Sequence, residues 1–189
     1  MLHVPRSTAR RPYATGVAVA LALTGLLLSG CGMTDDKTDD AGSGIPDAGT
    51  ASTDDAVAAV KDVSSQIFDF TGVPGKASEP GPGVKECEGK DPKKYFVVYH
   101  PWNFAPKNAD DTDLAVANLK KKLNTGGWVL KDSYHDNSPN KNLNLVADND
   151  SKKMSVWIVA YAERDTPSLG IEVTSGCYRA PEGQTVEHF

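Results

Sequence analysis

Between Trp128 and Cys177 the chain alternates apolar and polar residues in four closely spaced runs, and no feature constrains its fold more. The first run covers residues 128–134. In the second, Leu143, Leu145 and Ala147 alternate with Asn142 and Asn144. The third covers residues 154–163, with Val156, Ile158 and Ala160 on one side. In the fourth, residues 169–177, Ile171 and Val173 alternate with Glu172 and Thr174. A period of two places successive side chains on opposite faces of a β-strand. Asp148-Asn149-Asp150-Ser151 and Asp165-Thr166-Pro167-Ser168 are turn clusters between these runs. Connections this short join antiparallel neighbours. Trp157 and Tyr161 fall on the side opposite Val156 and Ile158, either beneath helices or on an exposed sheet face.

Upstream the period changes. Val57, Val60, Ile67 and Phe68, with Val63 and Ser64 between them, recur at helical spacing after a cap at Thr53 or Asp54, and Gly72, Pro74 and Gly75 end the helix. Pro80-Gly81-Pro82-Gly83 reads as a stiff loop leading to Cys87. Residues 95–99 (YFVVY) form a continuous β-branched and aromatic run, predicting a buried strand. A second helix starts at Asp111 or Thr112, buries Ala115, Val116, Leu119 and Leu123, and stops at Gly126-Gly127. Lys120, Lys121 and Lys122 have the favourable sign for its C-terminus, a simpler reading than a basic binding patch. The expectation is an α+β fold of order α-β-α-β-β-β-β. Two helices pack on one face of a mostly antiparallel sheet of about five strands.

The N-terminal segment must be set aside before the fold is argued. Arg6, Arg10 and Arg11 precede an uncharged apolar stretch at residues 16–28, followed by Leu28-Ser29-Gly30-Cys31. About 13 apolar residues fall short of the roughly 20 that a membrane-spanning helix needs. The four residues 28–31 resemble the bacterial lipobox at every position. That resemblance implies that residues 1–30 are a lipoprotein signal peptide, cut before Cys31, and that Cys31 carries diacylglycerol. Two acyl chains anchor stably where one is marginal. Arg10-Arg11 also weakly resembles a twin-arginine signal, so general secretion and the twin-arginine route both stay open. The implied location is the cell membrane, lipid-anchored and facing the extracytoplasmic side.

After such a cut, two cysteines remain in an oxidising compartment. Cys87 and Cys177 are therefore expected to pair in a structural disulfide. Residues 31–52, rich in Asp, Gly, Ser and Thr, read as the lipidated cysteine followed by a disordered acidic tether. Residues 53–181 read as a single domain and 182–189 as a flexible tail. The full chain has 20 basic and 25 acidic residues, and losing three arginines leaves 17 against 25, or −8. An acidic balance disfavours nucleic acid as a partner.

Chemistry-bearing patterns are sparse. His100, His135 and His188 lie beyond the signal segment, and none has metal-ligand spacing. Asp148-Asn149-Asp150 begins like a calcium loop but continues into Lys152 and Lys153, as a hairpin turn does. No nucleophile elbow, P-loop or dinucleotide fingerprint occurs, so neither a cofactor, a metal nor an enzymatic activity is expected. Residues 99–106 (YHPWNFAP) read as a proline-stiffened loop. Trp102 and Phe104 either cover the end of the core or stand partly exposed as preformed anchors for a ligand.

Together the lipobox, the acidic tether, Gly126-Gly127-Trp128 and Ser175-Gly176-Cys177 resemble small lipoproteins of unassigned function from high-GC Gram-positive bacteria. The resemblance implies a place and a shape but no activity. A non-catalytic domain binding an envelope protein or a cell-wall component is the leading expectation. A carrier of a small apolar ligand or lipid is the alternative, and a wall hydrolase the third.

Overall fold

Helix α1 (Thr53–Thr71) begins one residue earlier than its sequence signals indicate. Ser52 is the cap: its Oγ accepts from the Asp55 N–H (3.1 Å) and donates to the Asp55 carboxylate (2.6 Å). Ala56, Val60, Val63 and Ile67 form its buried stripe. Gly72 ends it in the left-handed region, at φ 63°. A Cβ there would also stand 2.8 Å from the Asn118 amide nitrogen, which donates to Thr71 O (2.9 Å) and ties α1 to helix α2 (Asp111–Lys122). Helix α2 buries Ala115, Val116 and Leu119, with Leu123 just beyond its end, as the sequence predicts.

A computed structural model describes residues 45–78 and 80–189. The expected signal peptide, Cys31 and the first part of the tether lie outside the described residues. Within them the fold is α+β, with a mostly antiparallel sheet of nine strands rather than about five. The strands are β1 (Asp47–Thr50), β2 (Gly75–Ala77), β3 (Gly83–Glu86), β4 (Tyr95–Pro106), β5 (Trp128–His135), β6 (Leu143–Asn149), β7 (Met154–Tyr161), β8 (Ser168–Ser175) and β9 (Cys177–Arg179). Seven lie in the order β1-β9-β4-β8-β7-β6-β5, while β2 and β3 pair with β4. The β5–β8 meander is the run of antiparallel neighbours expected from sequence.

The four added strands have three or four residues each. Too short to show a period, they exist through pairing with partners distant in sequence. β1 pairs parallel to β9, with Ala51 N–H continuing to Arg179 O (3.1 Å). Residues 47–52, read as the end of a disordered tether, are thus part of the fold. Residues 182–189, read as a flexible tail, also return to it. Val186 is buried and its N–H donates to Lys93 O (3.1 Å), while Phe189 and Val84 exchange backbone hydrogen bonds at 2.9 and 3.2 Å. Backbone pairing together with the packing of Ile45, Ala48 and Val186 orders both ends.

One core lies between the helices and the sheet. The α1 stripe and the α2 residues pack with Phe96, Val98, Trp102 and Phe104 of β4, and with inward residues of β6, β7 and β8. A smaller cluster joins Val97 to Cys87 and Cys177, whose disulfide has a Cα–Cα distance of 5.9 Å. Residues 45–189 carry eleven elements, the disulfide and both clusters, and belong to one compact unit with its own core, which is what a domain needs to fold alone.

Candidate functional site

The expected loop at residues 99–106 is not a loop. β4 runs unbroken from Tyr95 to Pro106 and pairs with β8 from Tyr99 to Phe104. The backbone direction explains why Pro101 is tolerated in its middle. Val98 N–H points to Ser175 Oγ on the β8 side (3.0 Å), whereas Asn103 N–H points the other way, to Ser78 Oγ (2.9 Å). By the alternation of the ladder, the Pro101 nitrogen faces the side of β2 and β3. There β3 pairs only with residues 96–99 and β2 only with residues 104–106. Proline therefore costs no ladder bond.

Trp102 and Phe104 face the helices, with 5% and 0% of their surface exposed. The expectation that they stand partly exposed is corrected: strand alternation turns both inward, onto Phe68 of α1. Phe68 and Phe104 meet edge to face, with ring centroids 5.6 Å apart, and Phe68 lies 6.3 Å from Trp102.

The interval between β2 and β3 leaves space on both sides of the sheet edge. On the helix side is a cleft of about 470 Å³ between α1, β4 and the pairs Ala77-Ser78 and Pro80-Gly81, with Phe68, Ser64, His100 and Trp102 also in its walls. His100 bridges it. Nδ1 lies 2.8 Å from Ser64 Oγ and Nε2 lies 2.8 Å from Pro80 O. A carbonyl only accepts, so Nε2 carries a proton, and in the neutral ring Nδ1 then accepts from the Ser64 hydroxyl. The pair ties the β2–β3 connection to α1.

None of the described helices covers the opposite face of the sheet, and there a second set of residues converges. Trp157 and Tyr161 stand four residues apart on β7, on one face and about 13 Å apart along the strand. Between them, Val159 pairs with Gly170 of β8. The result is a trough of about 390 Å³ with aromatic walls and a flat floor, bordered by Pro101, Asn103 and Glu172. Gly170 keeps it open, because a Cβ there would lie 2.9 Å from the Tyr161 ring. Trp157 is 48% exposed yet held in place: its indole N–H donates to Asn144 Oδ1 (2.8 Å), and Asn144 is itself buried. The Arg164 guanidinium lies 3.6 Å from the Tyr161 ring centre. Tyr134, 42% exposed, continues the aromatic surface across β6.

Sequence reasoning left the face of Trp157 and Tyr161 open and did not single out Asn144, Arg164 or Gly170. The legible signal was a Trp and a Tyr at i and i+4 of one strand. The other three residues depend on register across β5–β8. His100 and His135 do not meet: four strand spacings, about 19 Å, separate β4 from β5. Asp136 closes the β5–β6 connection. Its carboxylate is held down to about 2 by the Ser138 hydroxyl, with further hydrogen bonds from the Ser138 N–H and the Asn142 side chain and N–H. Among the described residues there is no group of three or more His, Cys, Asp or Glu placed to hold a metal ion. None of their helices is long and apolar enough to cross a membrane. The chain matches no protein-family model, no curated protein and no solved structure.

Proposed function

We propose that this protein is a lipid-anchored envelope protein whose domain binds cell-wall glycan, without catalysis, through the open face of its sheet. The observation that carries this reading is the trough between Trp157 and Tyr161. A pyranose ring has apolar C–H faces and hydroxyl edges. The aromatic walls match the faces, and Asn103, Glu172 and Ser78 at the border match the edges. Trp157 is fixed by Asn144, so its side chain loses little freedom on binding. Binding is favoured over hydrolysis because the Ser64–His100 pair is closed. Ser64 is 5% exposed, and both ring nitrogens of His100 are engaged within the fold.

Sedimentation with isolated wall material tests the reading. The wild-type domain is expected to co-sediment. Trp157→Ala and Gly170→Val, the second filling the trough, are expected to weaken binding at least ~10-fold, as loss of a central aromatic anchor does. Retention of both variants at the wild-type level, or no wild-type binding, sinks the glycan reading.

The anchor rests on residues 28–31. Cys31→Ala is expected to abolish lipidation and either leave an unprocessed precursor or release the protein. Detergent phase partitioning reads the difference. Equal membrane retention of the mutant overturns the assignment of Cys31.

A further inference from the structure

The helix-side cleft has unfilled chemistry of its own, although Ser78, Pro80 and Trp102 line both it and the trough. The three tryptophans make the contrast. The Trp128 indole N–H donates to Gln66 Oε1 (3.2 Å) and the Trp157 indole N–H to Asn144 Oδ1 (2.8 Å). The Trp102 indole N–H is buried and has no acceptor. A buried donor left unpaired is destabilising, and native folds rarely carry one without a reason. Trp102 is also a wall of the cleft.

The hydrogen bonds around the cleft define what would complete it. The Ser64 hydroxyl proton is committed to His100 Nδ1, and that of Ser65 to Lys61 O (3.0 Å). Ser78 Oγ accepts from Asn103 N–H, which leaves its own proton available. The uncommitted polar groups at the cleft are therefore mainly donors: the buried Trp102 N–H behind its wall, the Ser78 O–H and, at the exposed rim, the Lys61 ammonium. Among the described residues of its lining the one carboxylate is Asp69, eight residues further along α1 and about 12 Å away from Lys61. Phe68, Ala77, Pro80 and the Trp102 ring supply apolar wall between these groups. The volume of about 470 Å³ falls in the range of small-molecule sites, about 300–1,000 Å³.

We infer that this cleft is a second binding site, for a small amphiphile whose apolar chain lies along Phe68 and Trp102. The carboxylate or ester carbonyl of that amphiphile accepts the Trp102 indole N–H. Entry requires Phe68, which is half-buried and packs against Trp102, to shift.

Titration of ¹⁵N-labelled residues 45–189 with dodecanoate, below its micelle concentration, tests this directly by the indole N–H resonances. The Trp102 signal is expected to move saturably, while those of Trp128 and Trp157 stay in place. Trp102→Phe keeps the ring and removes the donor, and is expected to weaken binding about 10-fold or more, the worth of a hydrogen bond to a charged group. Ala77→Leu, at an exposed wall position, narrows the cleft without touching the core and is expected to weaken binding too. Trp157→Ala is expected to leave dodecanoate binding unchanged, which separates this site from the trough. Methyl dodecanoate binding as tightly as dodecanoate assigns the acceptor to an ester carbonyl; weaker binding assigns it to a carboxylate. A stationary Trp102 signal, or wild-type affinity in Trp102→Phe, overturns the proposal.

Discussion

Removing the Cys87–Cys177 bridge is expected to lower the unfolding free energy by about 4–5 kcal/mol, among the largest effects a paired substitution can have here. The bridge joins residues 90 apart. In the chain-entropy account, a cross-link stabilises by restricting the unfolded ensemble, and the effect grows with the length of chain enclosed. This loop encloses α1's C-terminal neighbours β4, α2 and the whole β5–β8 meander. Both sulfurs sit in a small buried cluster with Val97, so the double Cys→Ala variant loses packing as well. For a domain of this size, 1 kcal/mol corresponds to about 2–4 °C, which places the expected drop in Tm at roughly 10–20 °C. Calorimetry of the wild type and the double variant checks it. A fall of less than ~3 °C would show that the denatured chain gains little freedom when the bridge is lost.

Trp102→Ala and Phe104→Ala are each expected to cost about 3–5 kcal/mol, the range for truncating a buried aromatic. Phe104 is completely enclosed, with Phe68 against its ring and Gly75 beneath it. The approach at Gly75 is so close that a Cβ there would lie 2.4 Å from the Phe104 ring and 2.6 Å from Ala105 O. Backbone on one side and a packed helix on the other leave the site little freedom to collapse around a cavity. Trp102→Phe, which keeps most of the apolar surface, is expected to cost less than Trp102→Ala. Urea denaturation measures all three. A cost under ~1 kcal/mol for Phe104→Ala would contradict its place in the core.

These two residues also show where sequence patterning misleads. Pro101 and Pro106 flank them, and proline argues against a central strand. β4 accommodates Pro101 because, on the side its nitrogen faces, β3 has ended and β2 has not begun. That gap is a property of three segments together. No window of sequence around residue 101 contains it. Once the strand continues, alternation puts Trp102 and Phe104 on the face of Phe96 and Val98, which the helices cover.

Much else was legible along the chain because its causes are local. The α1 stripe follows from helical spacing and Gly72, and the three Lys residues of α2 from a helix C-terminus. The β6–β7 hairpin follows from alternation and a polar turn. The pairing of Cys87 with Cys177 followed from counting thiols in a chain expected to be exported, and the disulfide is formed. By itself, then, the sequence determined the α+β class, both helices, the antiparallel β5–β8 meander and the bridge. Each is decided by periodicity, capping or stoichiometry within the chain.

Only the tertiary structure decided the rest. The strands β1, β2, β3 and β9 and the docking of residues 182–189 depend on hydrogen bonds to distant partners. Their own residues carry no periodic signal. The exposure of Trp157 and Tyr161 depends on which face the helices cover. A period of two separates the faces of a strand but does not say which of them is covered.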